Sequence, residues 1–393
     1  MNSRILGTHA GLAMLVAMVQ VASADVGARE TVTDSWFGLG PSMDERGVSV
    51  GASFLADESS VLTGGVEGSS AYRHRFDLGI DVALESLVGW KGGSLFVDFQ
   101  AHKGQDGSEY VGDIQAFSNL DADETTEVPE AWFQQEMGPM RAKLGKVDAN
   151  SEFGYVEVAG VFLNSSASIS PTVFLIPTYP DPALSANLFY DAGTGPYVGA
   201  GLYDGAALEG VPTGQLWGKS AFEGPDHAFL ISEAGWKRAS DDGASRLALG
   251  VWHHNGAIPT FAGDALDGTE GFYALAERSQ STDHGTVGVY LQFGTADGAV
   301  SEVDRHLGAG VTWTGAFATR PDDTVGFGVS QAGVTNDPDA GFAESSETVF
   351  ELVYRAQLLP YLAVAPDIQY VTNPGASTID DAAVGTVRIE VTF

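Results

Sequence analysis

Apolar and polar residues alternate one by one through much of this chain. Between residues 70 and 86, Phe76, Leu78, Ile80, Val82 and Leu84 are apolar, while Arg73, Arg75, Asp77, Asp81 and Glu85 fall on the opposite parity. Residues 94–103 set Leu95, Val97 and Phe99 against Asp98, Gln100 and His102. The same rhythm runs through 286–295 and 347–357. It also closes the chain, where Val387, Ile389, Val391 and Phe393 alternate with Thr386, Arg388, Glu390 and Thr392. Successive side chains of a strand point to opposite faces, so a period of two marks strands with one greasy and one wet face. No comparable stretch carries a helical period.

Read this way, the chain predicts strands at 46–57, 70–86, 94–103, 127–136, 140–147, 184–191, 196–204 and 226–237. It predicts eight more at 243–254, 271–280, 286–295, 306–316, 323–334, 347–357, 361–373 and 382–393. The connections alternate between short and long. Asp191-Ala192-Gly193-Thr194-Gly195, Asp241-Asp242-Gly243 and Pro321 supply turn chemistry for the short ones. An even number of strands, short turns at one rim and long loops at the other describe an antiparallel transmembrane β-barrel of about 16 strands. A large soluble β-sandwich also alternates, but needs neither the loop rhythm nor an aromatic at the last position. Register is fixed by cost, because an Arg on the lipid side at the bilayer midplane costs about 2–4 kcal/mol. Slipping the 70–86 strand by one residue would turn Arg73 and Arg75 toward lipid, so its odd positions face the lumen. Tyr72, Trp90, Tyr197, Trp236 and Tyr370 stand near strand ends and fit interfacial girdles.

Composition adds three constraints. Hydrophobic residues make up 44% and no later segment has the apolar length of a membrane helix, which a barrel with a polar lumen also satisfies. Cys is absent, removing disulfides, thiolate nucleophiles and Cys metal sites. The formal charge is −33, which excludes nucleic acid as a partner and would bias a pore toward cations. The first residues read as a secretory leader: Arg4, an apolar run from Ala10 to Val21, and Ala22-Ser23-Ala24 as cleavage site. The domain reading is thus a leader at 1–24, a periplasmic N-terminal segment at 25–45 and a barrel at 46–393.

Catalytic and metal motifs are poor. Gly47-Val48-Ser49-Val50-Gly51 has the spacing of a nucleophile elbow without a following helix. His253 and His254 point to opposite faces of one strand and do not chelate one ion easily. Asp337-Pro338-Asp339-Ala340-Gly341 lacks the rest of a calcium loop. No enzyme, cofactor or metal is expected. The connection 148–183 is different. A loop of that length is uncommon without a function, and this one is rich in aliphatic and aromatic residues. Folding into the barrel mouth would bury them, as it would the mixed 104–126 loop. Packing against each other outside the barrel, or on a subunit interface, is the alternative.

Several strings resemble the carbohydrate-selective porins of the OprB type. They are GLGPSMDERGV (38–48), YVGDIQAFSN (110–119), NSEF with FLNSS (150–153, 162–166), ISPTVFLIPTYPDPAL (169–184), RPDDTVGFGV (320–329) and ELVYRAQLLPYLAVAPDIQYVTNPG (351–375). The resemblance implies a sixteen-stranded outer-membrane barrel passing monosaccharides passively, with Arg and Glu around its eyelet. By lumen parity the eyelet candidates are Arg73, Arg75, Asp98, His102, Glu130, Trp132, Arg141 and Lys143; Asn150 and Glu152 match the NSEF string. Sugar selection needs hydroxyl partners together with an apolar face, for which Trp132 is the candidate. Expected partners are outer-membrane lipid, small sugars and, through Phe393, the barrel-assembly machinery. A homo-oligomer is left open, and the alternative function is a general, cation-favouring diffusion pore.

Overall fold

A computed structural model describes residues 30–205, 213 and 227–393. The leader read at 1–24 and the first residue of the strand expected at 226 lie outside the described residues. Among those described, the strands are β1 (Val48–Thr63), β2 (Ser70–Ala83), β3 (Gly93–Gly104), β4 (Thr125–Glu127), β5 (Ala131–Met137) and β6 (Met140–Val147). They continue as β7 (Ala183–Asp191), β8 (Gly195–Asp204), β9 (Ala228–Ser240), β10 (Gly243–Pro259), β11 (Ala265–Thr282) and β12 (Gly285–Ala296). The last are β13 (Val303–Thr314), β14 (Thr324–Val334), β15 (Ser346–Leu359), β16 (Leu362–Thr372) and β17 (Ala382–Thr392). Every pairing is antiparallel, and β1 pairs with β17 from Ser53↔Thr392 to Thr63↔Ala383, closing the sheet on itself.

β4 and β5 both pair with β3, one above the other, and together fill a single place in the wall. The barrel therefore has sixteen strand positions. The expected strand 127–136 is broken because Pro129 has no N–H to give to the ladder. Asp98 N–H still reaches Glu130 O at 2.9 Å across the break. The other large difference is at the top of β10 and β11. These run to Pro259 and begin at Ala265, so the expected long loop 255–270 shrinks to a short turn. Asn255-Gly256 has the composition of a turn but sits in a bulge, where Gly256 N–H donates to His254 Nδ1 at 3.0 Å.

The two faces follow the parity of the sequence. Leu247, Leu249 and Val251 of β10 are 56–61% exposed and point outward; Ala248 and Trp252, between and beside them, are buried inside. No helix among the described residues is long and apolar enough to cross a membrane; the strands are the spanning elements. Tyr72, Trp90, Trp236 and Tyr370 are exposed on the outside, but Tyr197 is buried. It faces the lumen and donates its hydroxyl to Glu233, so it is no part of a girdle.

Candidate solute pathway and eyelet

The connection between β6 and β7 turns into the barrel instead of lying outside it. Its Phe153, Val156, Phe162 and Leu163 are buried in one apolar cluster with wall residues of β7 to β16, among them Phe189, Tyr203, Trp252, Tyr273 and Tyr290. The segment has only short turns of regular structure, at Ala149–Ser151, Glu157–Ala159 and Ser165–Ser168. Its backbone N–H groups therefore need acceptors from elsewhere. Wall carboxylates provide them. Glu233 accepts from Gly154 N–H at 2.9 Å, Glu277 from Val158 N–H at 3.0 Å, and Glu351 from Leu163 N–H at 2.5 Å. Gln292 donates to Ser166 O and Ala167 O at 2.8 and 2.7 Å. Close packing needs a missing side chain at Gly250, where a Cβ would stand 2.0 Å from the Tyr273 ring.

The connection between β3 and β4 docks in the same manner on the neighbouring wall. Glu347 accepts from Ile114 N–H at 3.0 Å and Gln115 N–H at 3.2 Å. Arg388 pairs with Asp57 at 2.8 Å and donates to Asn119 at 2.8 Å, while Ser118 donates to Asp57 at 2.6 Å. Arg73 belongs to this docking set. It lies 2.6 Å from Asp121 and its guanidinium sits 4.9 Å over the Phe117 ring. His102 lies 3.2 Å from Asp123 O. Both are 0% exposed, so the loop separates them from the pore.

Elsewhere on β2 to β6 the Arg75 and Arg141 side chains keep 25% and 30% exposure, while Lys143 and Glu152 are buried. Glu152, on the crossing loop, takes two bonds from Arg141 at 3.0 and 2.6 Å and pairs with Lys143 at 2.5 Å. Burial pushes the Glu152 carboxyl up, but the Arg141 hydrogen bond and the Lys143 charge outweigh it and hold the group below the usual carboxylate range. Lys143 Nζ stands 3.9 Å over the Trp132 ring, and Phe96 stacks on Trp132 at 5.1 Å. β5 lies between β3 and β6, so the Trp132 ring is flanked on both sides and offers its edge to the lumen. Arg141 stands 3.9 Å over Phe189. One step along the wall, Arg75 pairs with Asp77 at 2.9 Å and lies 5.2 Å over Tyr179. Asp98 shares this face.

Glu130 and Asn150 brace the entry to the loop. Glu130 accepts from Trp132 Nε1 and Asp148 N–H, both at 3.2 Å. Asn150 N–H donates to Asp148 at 2.8 Å. Burial raises the Asp148 carboxyl, although Thr178, Asn150 and Tyr179 all donate to it. Ten expected residues thus divide: Trp132, Arg141, Lys143 and Glu152 come together, Arg75 and Asp98 share a face of β2 and β3, Glu130 and Asn150 brace the crossing loop, and Arg73 and His102 lie behind a loop. Sequence reasoning missed Arg246, Glu233, Tyr197 and Phe96. Arg246 donates to Glu233 at 2.8 Å, Tyr197 at 2.8 Å and Tyr155 O at 2.8 Å. Lumen parity in the 243–254 segment was the signal for it.

A space of about 180 Å³ lies against Arg141, Glu152, Tyr197, Lys237 and Arg246. It adjoins another of about 470 Å³ toward the short-turn rim, with Glu157, Lys237 and Arg246 common to both. A concavity of about 1070 Å³ follows the outer surface along Leu144, Leu188, Leu202 and Val251 and is no part of the lumen.

A closed barrel with a lipid-facing exterior and two loops narrowing a polar lumen is a diffusion porin. The profile of the carbohydrate-selective porin, OprB family, matches residues 67–393, most of the chain, and the chain belongs to that family. It is 21% identical to Porin B of Pseudomonas aeruginosa over 411 residues, covering 91% of this chain and 90% of that protein. The high-pH structure of Pseudomonas putida OprB superimposes with a TM-score of 0.85 at 18% identity, over 94% of this chain and 100% of the other. The low-pH structure of the same porin gives 0.61 at 16% identity, over 93% and 98%. The protein is an outer-membrane porin for passive, carbohydrate-selective diffusion of small sugars in a Gram-negative cell. Family and fold are those of a channel rather than an enzyme.

Proposed function

We propose that Arg141, Lys143 and Glu152, with the edge of the Phe96–Trp132 pair, form the face that sugars touch in the eyelet. The observation that carries this is Glu152, a loop carboxylate gripped by two wall cations beside an aromatic pair. Guanidinium and ammonium offer donors, the carboxylate an acceptor, and the ring edges an apolar surface for sugar C–H groups. Arg75, Asp77 and Asp98 extend the polar face. Because the cations and carboxylate already satisfy one another, a passing sugar exchanges bonds at small net gain, as a conducting site requires.

The acid excess favours a cation-preferring general pore only if those acids face the solute. Glu233, Glu277, Glu347 and Glu351 instead hold loop N–H groups, which supports the sugar reading. The test is ion current through purified channels in planar bilayers with glucose added. Wild type is expected to show reduced current, and Arg141→Ala/Lys143→Ala to conduct with the glucose effect lost. An unchanged glucose effect in that folded double variant rejects the assignment.

At the other end of the chain, we propose Phe393 as a contact for the assembly machinery. Its N–H donates to Ala52 O at 2.9 Å and its ring meets Phe76 edge-on at 6.2 Å, leaving it at the short-turn rim.

A further inference from the structure

The wall below the crossing loop carries a band of hydroxyls that neither loop uses. Register places Thr286 of β12 opposite Thr314 of β13, and Thr314 opposite Thr324 of β14. Thr286 shares the parity of Gly288 and Tyr290, so all three residues face the lumen. The Thr314 and Thr324 hydroxyls lie 2.8 Å apart. Thr312 stands one lumen position above, beside Gly288. These residues line the space of about 470 Å³, with Val158 and Val161 of the crossing loop at its other side. Thr286 closely follows the short 283–284 turn and Thr314 and Thr324 flank the 315–323 turn, so the band lies at the short-turn rim, the periplasmic side.

The chemistry of this band is specific. A hydroxyl is both donor and acceptor, and its hydrogen rotates to suit the partner. A row of them can meet ring hydroxyls in many orientations without a charge to desolvate. Threonine methyls and the two valines offer apolar surface to the C–H face of a ring. Charged groups also border this space: Arg246 pairs with Glu277 at 3.2 Å and Lys237 with Asp191 at 2.6 Å, while Glu157 and Arg238 stand at its edge, so the hydroxyl band is the uncharged part of the lining. The space has the size of an ordinary small-molecule site. It also continues into the space against Arg141 and Glu152 through Lys237 and Arg246.

We propose that Thr286, Thr314 and Thr324 form a second monosaccharide subsite, in series with the eyelet and on its periplasmic side. This rests on the sugar-diffusion function, and it extends the eyelet assignment without depending on it. A weak station of hydroxyls below the constriction gives an emerging sugar a polar surface to move onto, so the eyelet is vacated stepwise.

Glucose-dependent current noise in planar bilayers tests it. Wild type is expected to show two sugar-dependent relaxations. Thr286→Val/Thr314→Val/Thr324→Val, which keeps shape and favours strand, is expected to weaken one of them about tenfold and leave the other. The Ser triple variant, which restores the hydroxyls, is expected to retain both. Arg141→Ala/Lys143→Ala is expected to remove the component that the Val variant leaves. If that double variant fails to do so while the Val effect stands, the eyelet assignment falls and the subsite remains. The subsite is overturned if the Val triple, or Thr314→Val alone should the triple not fold, leaves every sugar-dependent component as in wild type.

Discussion

Two sectors of the same wall use the same residue types for opposite ends. On β2 to β6, Arg141 and Lys143 converge on Glu152 beside the Phe96–Trp132 pair, and the Arg141 guanidinium stays partly open. On β9 to β16, Glu233, Glu277, Glu347 and Glu351 turn inward at equivalent parity but are spent on backbone N–H groups of the two loops. The lesson is that a charged side chain on the lumen face has no role until the loops are placed. What lies over it decides whether it meets solute or supports the thing that does.

The sharpest way to break the contrast is to disable the contacts that hold the loops, first the Arg388–Asp57 pair on β17 and β1, beside that sector. Arg388→Met leaves Asp57 buried without its cation, which is expected to cost about 3–5 kcal/mol. Chemical unfolding of the folded barrel in detergent would show it as a large drop in midpoint. Next, Glu351→Ala leaves the Leu163 and Asn164 N–H groups without an acceptor, and a buried donor left unsatisfied costs about 1–3 kcal/mol. The crossing loop is expected to loosen, giving larger single-channel conductance and poorer discrimination among sugars; Glu351→Gln, which keeps an acceptor, should do less. A conductance equal to wild type in the Ala variant would falsify the latch.

On the open sector the expected effects are smaller. Trp132→Ala removes the ring under Lys143 and is expected to weaken the glucose effect by about 1 kcal/mol, with Trp132→Phe closer to wild type. Acid sharpens the comparison further. A carboxyl held below its unfolded value stabilises the fold above that value and loses the contribution as pH falls through the folded one. Glu152 is such a group, so loop anchoring and glucose response should be constant from neutral pH down through the ordinary carboxylate range and decline only below it. Glu152→Gln should abolish that acid transition in the glucose titration.

Much of this barrel is legible in the amino-acid sequence. Parity assigns the lumen side of β2, β3, β5 and β6 correctly, because every second residue of a spanning strand must avoid lipid. Sixteen strand positions follow from the same pattern. Parity is silent on which lumen residues are covered. Arg73 looks like Arg75 in sequence, yet Asp121 and Phe117 come from a loop far along the chain to enclose it. Leu163 reaches Glu351 across 188 positions of sequence. Trp132 has the parity of an open ring face, but its neighbours on β3 and β6 fill both sides. The strand end expected at 254 falls short, because β10 runs on through a bulge at Asn255-Gly256 to Pro259.

The interruption at Pro129 carries one last consequence. A sealed cylinder in oil tolerates no loose carbonyl, yet breaking the strand frees one at Val128. Lys146 stands on the opposite parity to Arg141 and Lys143 of β6, and it donates to that oxygen at 2.6 Å. A lysine on the oil-side parity is therefore a plug for a seam, repairing the insulation where the hydrogen-bonded fabric was cut. Replacing it with methionine would keep the length of the side chain and leave the barrel less watertight.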